Sequence, residues 1–372
     1  MLRNIVTLTS FPARIKTVHI VIDSMFKQKL KPDMIVLYLG YDKFPNKEND
    51  LPKELISQTN CGLSIHWVKD IGCFTGLIPA LIEFPDDIIF NIDDDIYYDS
   101  NILSDLYNGY KNNSLAIHTI TSHRIIFDQY DSLMHYDNWM PIENFYKNCL
   151  CFSIIDYLVK IKKLLKNKLF SIYSFTKLQN NEDDISNASF HNFIISTLGT
   201  LYPPHCLHED SKNVELAFKL CPTNDDIWFW INAIRNGTKI QLAKYRSNRF
   251  NYIGETQSTA LFNTNLVKKI INNKEITPND LQMENVLKYF PELMTLLKSE
   301  KLSKQYLLSK KYYLFRIIPL LDIFYYNKRN IIFALFGIIP LLIISKKSKQ
   351  IYFNLFGFIP ILKMKNEFWK LD

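Results

Sequence analysis

The chain has 372 residues, of which 47% are hydrophobic and 22% charged, and its formal net charge is +7. This composition supports one large or two modest domains with a buried core and excludes a wholly disordered protein. From residue 298 onward there are 14 Lys and Arg against 4 Asp and Glu, a balance of +10, whereas the residues before them have a balance of −3. The near-neutral body argues against a nucleic-acid surface, and the basic, apolar tail indicates an anionic membrane surface as partner.

The cysteines and the N-terminal residues indicate the compartment. None of the six cysteines forms a Cys-x-x-Cys pair, and no cluster of histidines accompanies them, so a structural zinc site is not expected. Residues 1–6 lack the long apolar run of a signal peptide and have the character of a first strand. We therefore expect a reducing, cytoplasmic compartment, with the protein peripheral at the inner face of the cell membrane.

Short β-branched runs alternate with helical stretches in the first third of the chain. The helical spacing is clearest at residues 18–28, 77–83 and 103–111, and the strand candidates are Ile5–Thr9, Met34–Leu39, Leu63–Val68, Asp87–Ile92 and Leu115–Ile120. This alternation predicts an α/β fold, a mostly parallel sheet with helices on both faces. Ligands bind at the carboxyl ends of the strands in such sheets.

The remaining chain divides into three predicted regions. Residues 1–265 form the main domain, within which residues 125–195 are less regular and are interpreted as an insertion, an acceptor region or a lid. Residues 266–310 are predicted to be a helical connector. Residues 311–372 form a basic amphipathic tail that we expect to be helical.

The tail contains three copies of Leu-Phe-x-x-Ile-Pro, which begin at Leu314, Leu335 and Leu355 and are followed by basic residues. Its longest apolar run, Ile331–Ile344, is short for a membrane span. Apolar segments flanked by Lys and Arg suit the membrane interface, because the aliphatic groups enter the acyl boundary while the cations meet lipid phosphates. Packing as a small subdomain and true insertion are the alternatives.

Three acidic residues, Asp93, Asp94 and Asp95, follow the apolar run Asp87–Ile92. A strand that ends in Asp-x-Asp brings two carboxylates together, and carboxylate oxygens are the natural ligands of a hard divalent cation. The repulsion among the three carboxylates must be offset by another group. The alternative is a solvated loop after a strand.

The Asp triplet and several other segments resemble those of bacterial glycosyltransferases of the GT-A type, of the group found in lipopolysaccharide and capsule gene clusters. The matching segments are 5–15, 77–81, 85–89, 93–98, 123–124, 201–204 and 225–229. The resemblance implies the Rossmann-like GT-A fold, a nucleotide-diphosphate sugar (a UDP-sugar) as donor, Mn²⁺ or Mg²⁺, and a glycan or lipid-linked acceptor.

The resemblance also implies roles for single residues. Thr9 and Ser10 would hold the nucleotide, Asp70 would contact its base or ribose unless it is a simple turn residue, and Asp94 would lie at the donor. Asp93 would face the ribose, the donor sugar or the metal, and Asp95 would bind the metal. Relatives often carry Lys where this chain has Gly76, so the diphosphate would need another cation: Arg14 or Arg124.

The second acidic pair, Asp225-Asp226, precedes a helix. An inverting transferase needs a carboxylate to take the proton of the acceptor hydroxyl, and either residue would serve, with Asp226 preferred. Helix capping is the alternative for the pair. Trp228 and Trp230 would be an acceptor platform or core residues. The competing functions are phosphoryl or nucleotidyl transfer, and non-catalytic sugar-nucleotide binding at the membrane.

Overall fold

The computed structural model describes residues 2–127, 132–133, 135–136, 139–143, 173–179, 187–244, 251–271 and 274–300, together with six strands between residues 307 and 365. The chain divides into two compact units. The first comprises residues 1–128, 133–146 and 185–301, and the second comprises residues 129–132, 147–184 and 302–372. Among the described residues, none of the helices has both the length and the apolar character that crossing a membrane requires.

The first unit is built on an eight-stranded sheet. Four strands lie parallel in the spatial order β3-β2-β1-β4: β1 (Asn4–Thr9), β2 (Met34–Gly40), β3 (Leu63–Val68) and β4 (Ile88–Asn91). The sheet continues through β9 and β6 to β10, with β7 on β6: β6 (Ile117–Arg124), β7 (Met140–Glu143), β9 (Asn192–Tyr202) and β10 (Ile240–Leu242). β10 is parallel to β6, and β9 is antiparallel to both of its neighbours, β4 and β6.

Helices cover both faces of this sheet. They are α1 (Val18–Phe26), α2 (Lys53–Ser57), α3 (Ile78–Glu83), α4 (Ile102–Asn112), α5 (Val214–Leu220), α6 (Asp225–Arg235), α7 (Phe262–Asn265), α8 (Pro278–Tyr289) and α9 (Glu292–Ser299). Neighbouring residues of β1 belong to different cores: Ile5 belongs to the core that includes residues of α3, α6 and α8, whereas Val6 belongs to the core that includes residues of α1 and α4. A strand that is buried on both sides reads as a continuous apolar run, as in Met34–Leu39. The predicted α/β fold, a Rossmann-like, mostly parallel sheet between helical layers, is confirmed.

Two small two-stranded sheets complete the first unit. β5 (Ile96–Tyr97), directly after the Asp triplet, pairs antiparallel with β11 (Asn251–Tyr252). β12 (Lys269–Ile271) and β13 (Lys274–Ile276) form a hairpin. The first pair joins residues about 150 positions apart in sequence and brings the segment after β11 to the carboxyl end of β4.

The second unit is a seven-stranded antiparallel sheet in the order β19-β18-β17-β16-β15-β14-β8. Its strands are β8 (Tyr173–Gln179), β14 (Leu307–Leu314), β15 (Ile318–Tyr326), β16 (Asn330–Leu335), β17 (Ile339–Lys347), β18 (Gln350–Leu355) and β19 (Ile359–Lys365). The prediction of a helical tail is therefore wrong. Each repeat marks the end of one strand and the beginning of the next, so the period of about 20 residues is that of a pair of strands.

The repeated proline explains why strands replace helices. Proline in a helix interior removes a hydrogen bond and clashes with the preceding turn. In the tail sheet, Pro319, Pro340 and Pro360 each stand second in a strand and lie beside a shift in register. Such irregularities are where a sheet accommodates a residue without an N–H group.

Several predictions about organisation are untested. The boundaries at residues 265 and 310 stay predictions, although α8 and α9 lie between them. Residues 144–172 and 180–186, which make up much of the predicted insertion or lid, lie outside the described residues.

Candidate active site

The Asp triplet is fixed in place by its backbone. The N–H of Asp93 donates to Oη of Tyr98 (2.9 Å), and the carbonyl of Asp95 accepts from the N–H of Ile253 (2.8 Å). The triplet follows β4, and Ser10 follows the neighbouring parallel strand β1, so both lie at the carboxyl edge of the sheet. This is the edge at which α/β folds bind ligands.

Arg14 is the internal counter-ion of the triplet. Its Nη1 lies 2.7 Å from Oδ1 of Asp94 and 3.1 Å from Oδ2 of Asp95, and its side chain is only 11% exposed. Oγ of Ser10 donates to Oδ2 of Asp94 (2.6 Å). Arg14 and Ser10, which were predicted to hold the donor, thus make their contacts to Asp94, and both oxygens of Asp94 accept bonds from the protein. Arg14 therefore offsets the repulsion between Asp94 and Asp95.

The segment Gly254–Thr259, which was not predicted to belong to the site, binds both Asp95 and Arg14. Gln257 donates from Nε2 to Oδ2 of Asp95 (2.9 Å). Arg14 donates from Nη2 to the carbonyl of Thr256 (3.1 Å) and from Nε to Oγ1 of Thr259 (2.9 Å). These residues belong to the short 3-10 helix Gly254–Thr259, which follows β11. The sequence of this segment contains no motif that signals the contact.

Asp93 is the carboxylate of the triplet that the protein does not neutralise. Within the part of the chain that the structure describes, its carboxylate has no hydrogen bond and no ion pair. Burial raises the pKa of Asp93 well above its usual value, and repulsion by Asp95, Asp226, Asp225 and Asp94 adds to the effect. Burial also raises the pKa of Asp95, where Arg14 opposes the shift. A buried carboxylate among others is where a bound cation would be most stabilising.

Asp225 and Asp226 are the first two residues of α6, and neither caps the helix. The N-cap is Asn224, whose Oδ1 accepts from the N–H of Ile227 (2.9 Å) and whose Nδ2 donates to Asn279 (2.8 Å). Asp226 is held instead by the N–H of Ser196, which donates to its Oδ1 (3.2 Å). The capping alternative for the pair is thus wrong, because the residue before it fills that role.

The two carboxylates of this pair titrate abnormally. Burial raises the pKa of Asp225 to about 6, and it raises that of Asp226 well above its usual value, where repulsion by Asp225 adds to the shift. At neutral pH such a pair holds a proton more tightly than an exposed carboxylate would. Raised pKa values of this kind are typical of groups that accept protons in catalysis.

Strand β9 brings the two acidic segments together. Its Thr200 pairs with Asn91 at the end of β4, and continuing β9 toward its N-terminus leads along the triplet to Ser196, which holds Asp226. The negative charges of Asp225 and Asp226 lie near enough to Asp93 to contribute to the rise in its pKa. We call Asp93, Asp94, Asp95, Asp225 and Asp226 the acidic centre.

Two other predicted donor residues lie at the same edge but make local contacts. Thr9 donates from Oγ1 to the carbonyl of Tyr38 (2.9 Å). Asp70 accepts from the N–H of Gly72 (3.2 Å) and faces Nζ of Lys43 at 3.6 Å. Asp70 follows β3 and lies against Gly40 at the end of β2, where a Cβ would come within 2.7 Å of the Cβ of Asp70. Its contacts are those of a turn residue, and a role in binding the base or ribose stays a prediction.

Arg124 is not part of this group. It lies in β6, is 2% exposed, and donates from Nη1 to Oγ of Ser189 (3.0 Å), which in turn donates to Glu300 (3.1 Å). A guanidinium buried in this network gives no support to the predicted contact with the donor.

Trp228 and Trp230 are also fully buried, and their indole N–H groups donate to the carbonyls of Ser211 and Asn192, so they are core residues rather than an acceptor platform.

Gly76 lies against the site. A Cβ built there would come within 3.3 Å of Oδ1 of Asn91 and 3.4 Å of Thr9, at the ends of β4 and β1. A side chain at this position would therefore point at the carboxyl ends of β1 and β4.

The acidic centre suits a metal that brings its own further ligands. In the part of the chain that the structure describes, no three His, Cys, Asp or Glu side chains are arranged to enclose an ion by themselves. Asp93, which has no partner, and the second oxygen of Asp95 are nevertheless hard donors at the sheet edge. Mg²⁺ and Mn²⁺ at phosphate sites are commonly bound by one or two carboxylates, with the remaining ligands from phosphate and water. The residues present fit such a site.

The comparisons with known proteins give only distant likenesses. No protein-family model and no curated protein matches the sequence. Among solved structures, the chain is similar to TarS 1-349 of S. aureus (10% identity, 80% of this chain and 71% of that one, TM-score 0.36). It is also similar to the inositol-1-phosphate CTP transferase of T. maritima (8% identity, 81% and 98%, TM-score 0.34) and to CMP:2-keto-3-deoxy-manno-octonic acid synthetase complexed with CTP (8% identity, 66% and 90%, TM-score 0.33). These values are low, and the fold assignment rests on the strand order and pairing above.

Proposed function

We propose that this chain is a glycosyltransferase of the GT-A type that transfers a sugar from a nucleotide-diphosphate donor. The observation that carries the proposal is the acidic centre, in which carboxylates about 130 residues apart in sequence meet at the carboxyl edge of a Rossmann-like sheet. Buried carboxylates that repel one another and have raised pKa values destabilise the folded protein, so their presence at one place indicates a functional site. A UDP-sugar is the donor we propose, on the strength of the sequence resemblance.

The triplet would bind the metal end of the donor. Asp93 and Asp95 would hold Mn²⁺ or Mg²⁺, which when bound neutralises the diphosphate as it leaves. Arg14 holds Asp94 and Asp95 in position, so it acts on the donor indirectly and does not replace the missing lysine. Asp93 is the residue of the triplet whose removal would weaken metal binding most, because it has no partner within the described chain.

The helix start would supply the base. As the acceptor oxygen attacks the anomeric carbon, its proton passes to the carboxylate of Asp226, and the nucleoside diphosphate leaves with the electron pair of the glycosidic bond. The Ser196 N–H fixes one oxygen of Asp226, and burial together with repulsion by Asp225 raises the pKa of Asp226, which makes it a stronger base. One displacement of this kind inverts the anomeric centre.

The acceptor and the cellular setting follow from the resemblance and the tail. We propose a glycan or lipid-linked acceptor in cell-surface polysaccharide synthesis, with the protein at the cytoplasmic face of the membrane. The balance of +10 after residue 297 supports an anionic lipid surface as the partner of the tail sheet.

A donor panel tests the function. Purified protein with Mn²⁺ is incubated with nucleotide sugars, and release of the nucleoside diphosphate is measured. We expect turnover with at least one donor and a loss on the order of 10²- to 10⁴-fold in Asp226→Asn. Asp86→Asn, whose carboxylate is exposed, is the matched control. Release of pyrophosphate from a nucleoside triphosphate would indicate nucleotidyl transfer instead, and binding without turnover across the panel would indicate a non-catalytic protein.

A further inference from the structure

The first unit carries an exposed apolar segment immediately after the residues that hold the Asp triplet. Four large apolar side chains lie within ten residues and are exposed to solvent: Leu261 (48%), Leu266 (45%), Val267 (54%) and Ile270 (81%). Lys268 and Lys269 stand among them and are also exposed. We call residues 261–271, which comprise α7 and β12, the apolar ridge. Apolar residues grouped on a surface in this way mark an interaction site.

The apolar ridge is anchored to both halves of the acidic centre. Its N-terminal end adjoins the Gly254–Thr259 segment, which binds Asp95 and Arg14. Asn265, 5% exposed, donates from Nδ2 to the carbonyl of Thr223 (2.7 Å) and accepts from its Oγ1 (2.8 Å). Thr223 lies two residues before Asp225. At its other end the hairpin leads through buried Ile276 into α8. Whatever binds the ridge is therefore held at a fixed place relative to the site.

The charge of the ridge selects its partner. It contains two lysines and no acidic residue, a balance of +2, whereas residues 1–297 as a whole have a balance of −3. Lysines flanked by aliphatic side chains, as Lys268 and Lys269 are by Val267 and Ile270, match a phospholipid surface, where apolar groups enter the acyl boundary and ammonium groups meet phosphates. A second copy of the chain would offer an equally basic ridge to this one, and like charges would oppose such a contact.

We propose that the apolar ridge docks on an anionic phospholipid surface and so presents the acidic centre to the membrane. This contact is separate from any made by the tail, and it does not depend on the chemistry that the site performs. It would place the site where a lipid-linked substrate is delivered.

A fluorescent label on the ridge tests the proposal in the full-length chain. Ile270→Cys is labelled with an environment-sensitive dye, in a background where Cys61, Cys149 and Cys151 are replaced by serine. The protein is mixed with vesicles of phosphatidylglycerol and phosphatidylcholine. Leu115→Cys, at an 84% exposed apolar residue outside the ridge, is the matched control. We expect a blue shift, and quenching by a lipid-embedded quencher, at position 270 and neither at position 115.

The response of the label is decisive because it reports contact of the ridge itself, whereas binding of the whole chain to vesicles could also come from the tail. No response at 270, or equal responses at 270 and 115, would overturn the proposal. A response at 270 that needs no vesicles and grows with protein concentration would also overturn it and assign the ridge to a second copy of the chain.

Two sets of variants measure the strength of the contact. Val267→Glu with Ile270→Glu should weaken vesicle partitioning about tenfold or more, whereas Ile82→Glu with Leu115→Glu should not. Lys268→Ala and Lys269→Ala should each weaken binding to anionic vesicles by roughly fivefold and leave binding to neutral vesicles unchanged. Equal effects of the ridge and control pairs would contradict the proposal.

Discussion

Replacing Asp225 by asparagine should stabilise the protein at neutral and higher pH. Burial raises the pKa of Asp225 from 3.8 to about 6, so ionising it in the folded protein is costly. At about 1.4 kcal/mol per pH unit, the carboxylate lowers the free energy of unfolding by at most ~3 kcal/mol once it is ionised. Asparagine loses the favourable interaction of a negative charge with the start of α6, which is about 0.3–1 kcal/mol. We expect a net gain of about 2 kcal/mol.

The pH dependence gives the sign of the effect independently. Because the folded protein binds this proton more tightly than the unfolded chain, the contribution of Asp225 is present below pH 3.8 and is lost as pH rises through about 6. The thermal midpoint of Asp225→Asn should therefore exceed that of the wild type at about pH 8 and equal it, or fall slightly below it, at about pH 4. A variant less stable than the wild type at pH 8 would refute the reasoning about the acidic centre.

Three further predictions concern the residues around the centre. Arg14→Ala leaves Asp94 and Asp95 without their cation and should lower the free energy of unfolding by about 3–5 kcal/mol. Lys43→Ala, at a half-exposed ion pair, should lower it by about 1 kcal/mol or less. Similar losses in the two variants would contradict the buried pairing of Arg14. Asn224→Ala and Asn213→Ala each remove a helix N-cap and should each cost about 1 kcal/mol, but only the first should lower turnover, since only it precedes the proposed base. Turnover should fall on the acidic side as pH drops through about 6 or above, and an acidic limb near pH 4 would show that neither residue of the Asp225-Asp226 pair is the base.

The sheet of the first unit was predictable because each of its parallel strands is marked by an apolar pattern within a few consecutive residues. Strands such as Met34–Gly40 are buried on both faces, so they stand out as continuous apolar runs between turn residues. The Asp triplet follows such a strand, and the general rule for ligands in α/β sheets then gives its location.

The tail was not predictable by the same reasoning. Its apolar runs are long and uninterrupted, and a run of this kind does not distinguish a helix from a strand. The proline in each copy was the decisive residue, because it is tolerated near a strand end beside a register shift but not in a helix interior. Reading the period of about 20 residues as two strands would have given the observed sheet.

The contacts within the site join residues that are distant in sequence, so they could not be predicted from local sequence patterns. Arg14 was predicted to meet the donor diphosphate, whereas its ion-pair partners in the structure are Asp94 and Asp95. Gln257 reaches Asp95 across 162 positions, and no local pattern marks it. The capping role that was the alternative for Asp225 and Asp226 belongs to Asn224, and the sequence could not separate them because Asn and Asp are both good capping residues.

Calorimetric titration with UDP, in the presence and absence of Mn²⁺, tests the central claim most directly. If the acidic centre binds a nucleotide diphosphate through a metal held by Asp93 and Asp95, UDP should bind the wild type tightly only with Mn²⁺, and Asp93→Asn should abolish that dependence. Asp226→Asn should retain the dependence on Mn²⁺, because Asp226 is not one of the proposed metal ligands. Binding of UDP that is equally tight without Mn²⁺, or that survives intact in Asp93→Asn, would contradict the account.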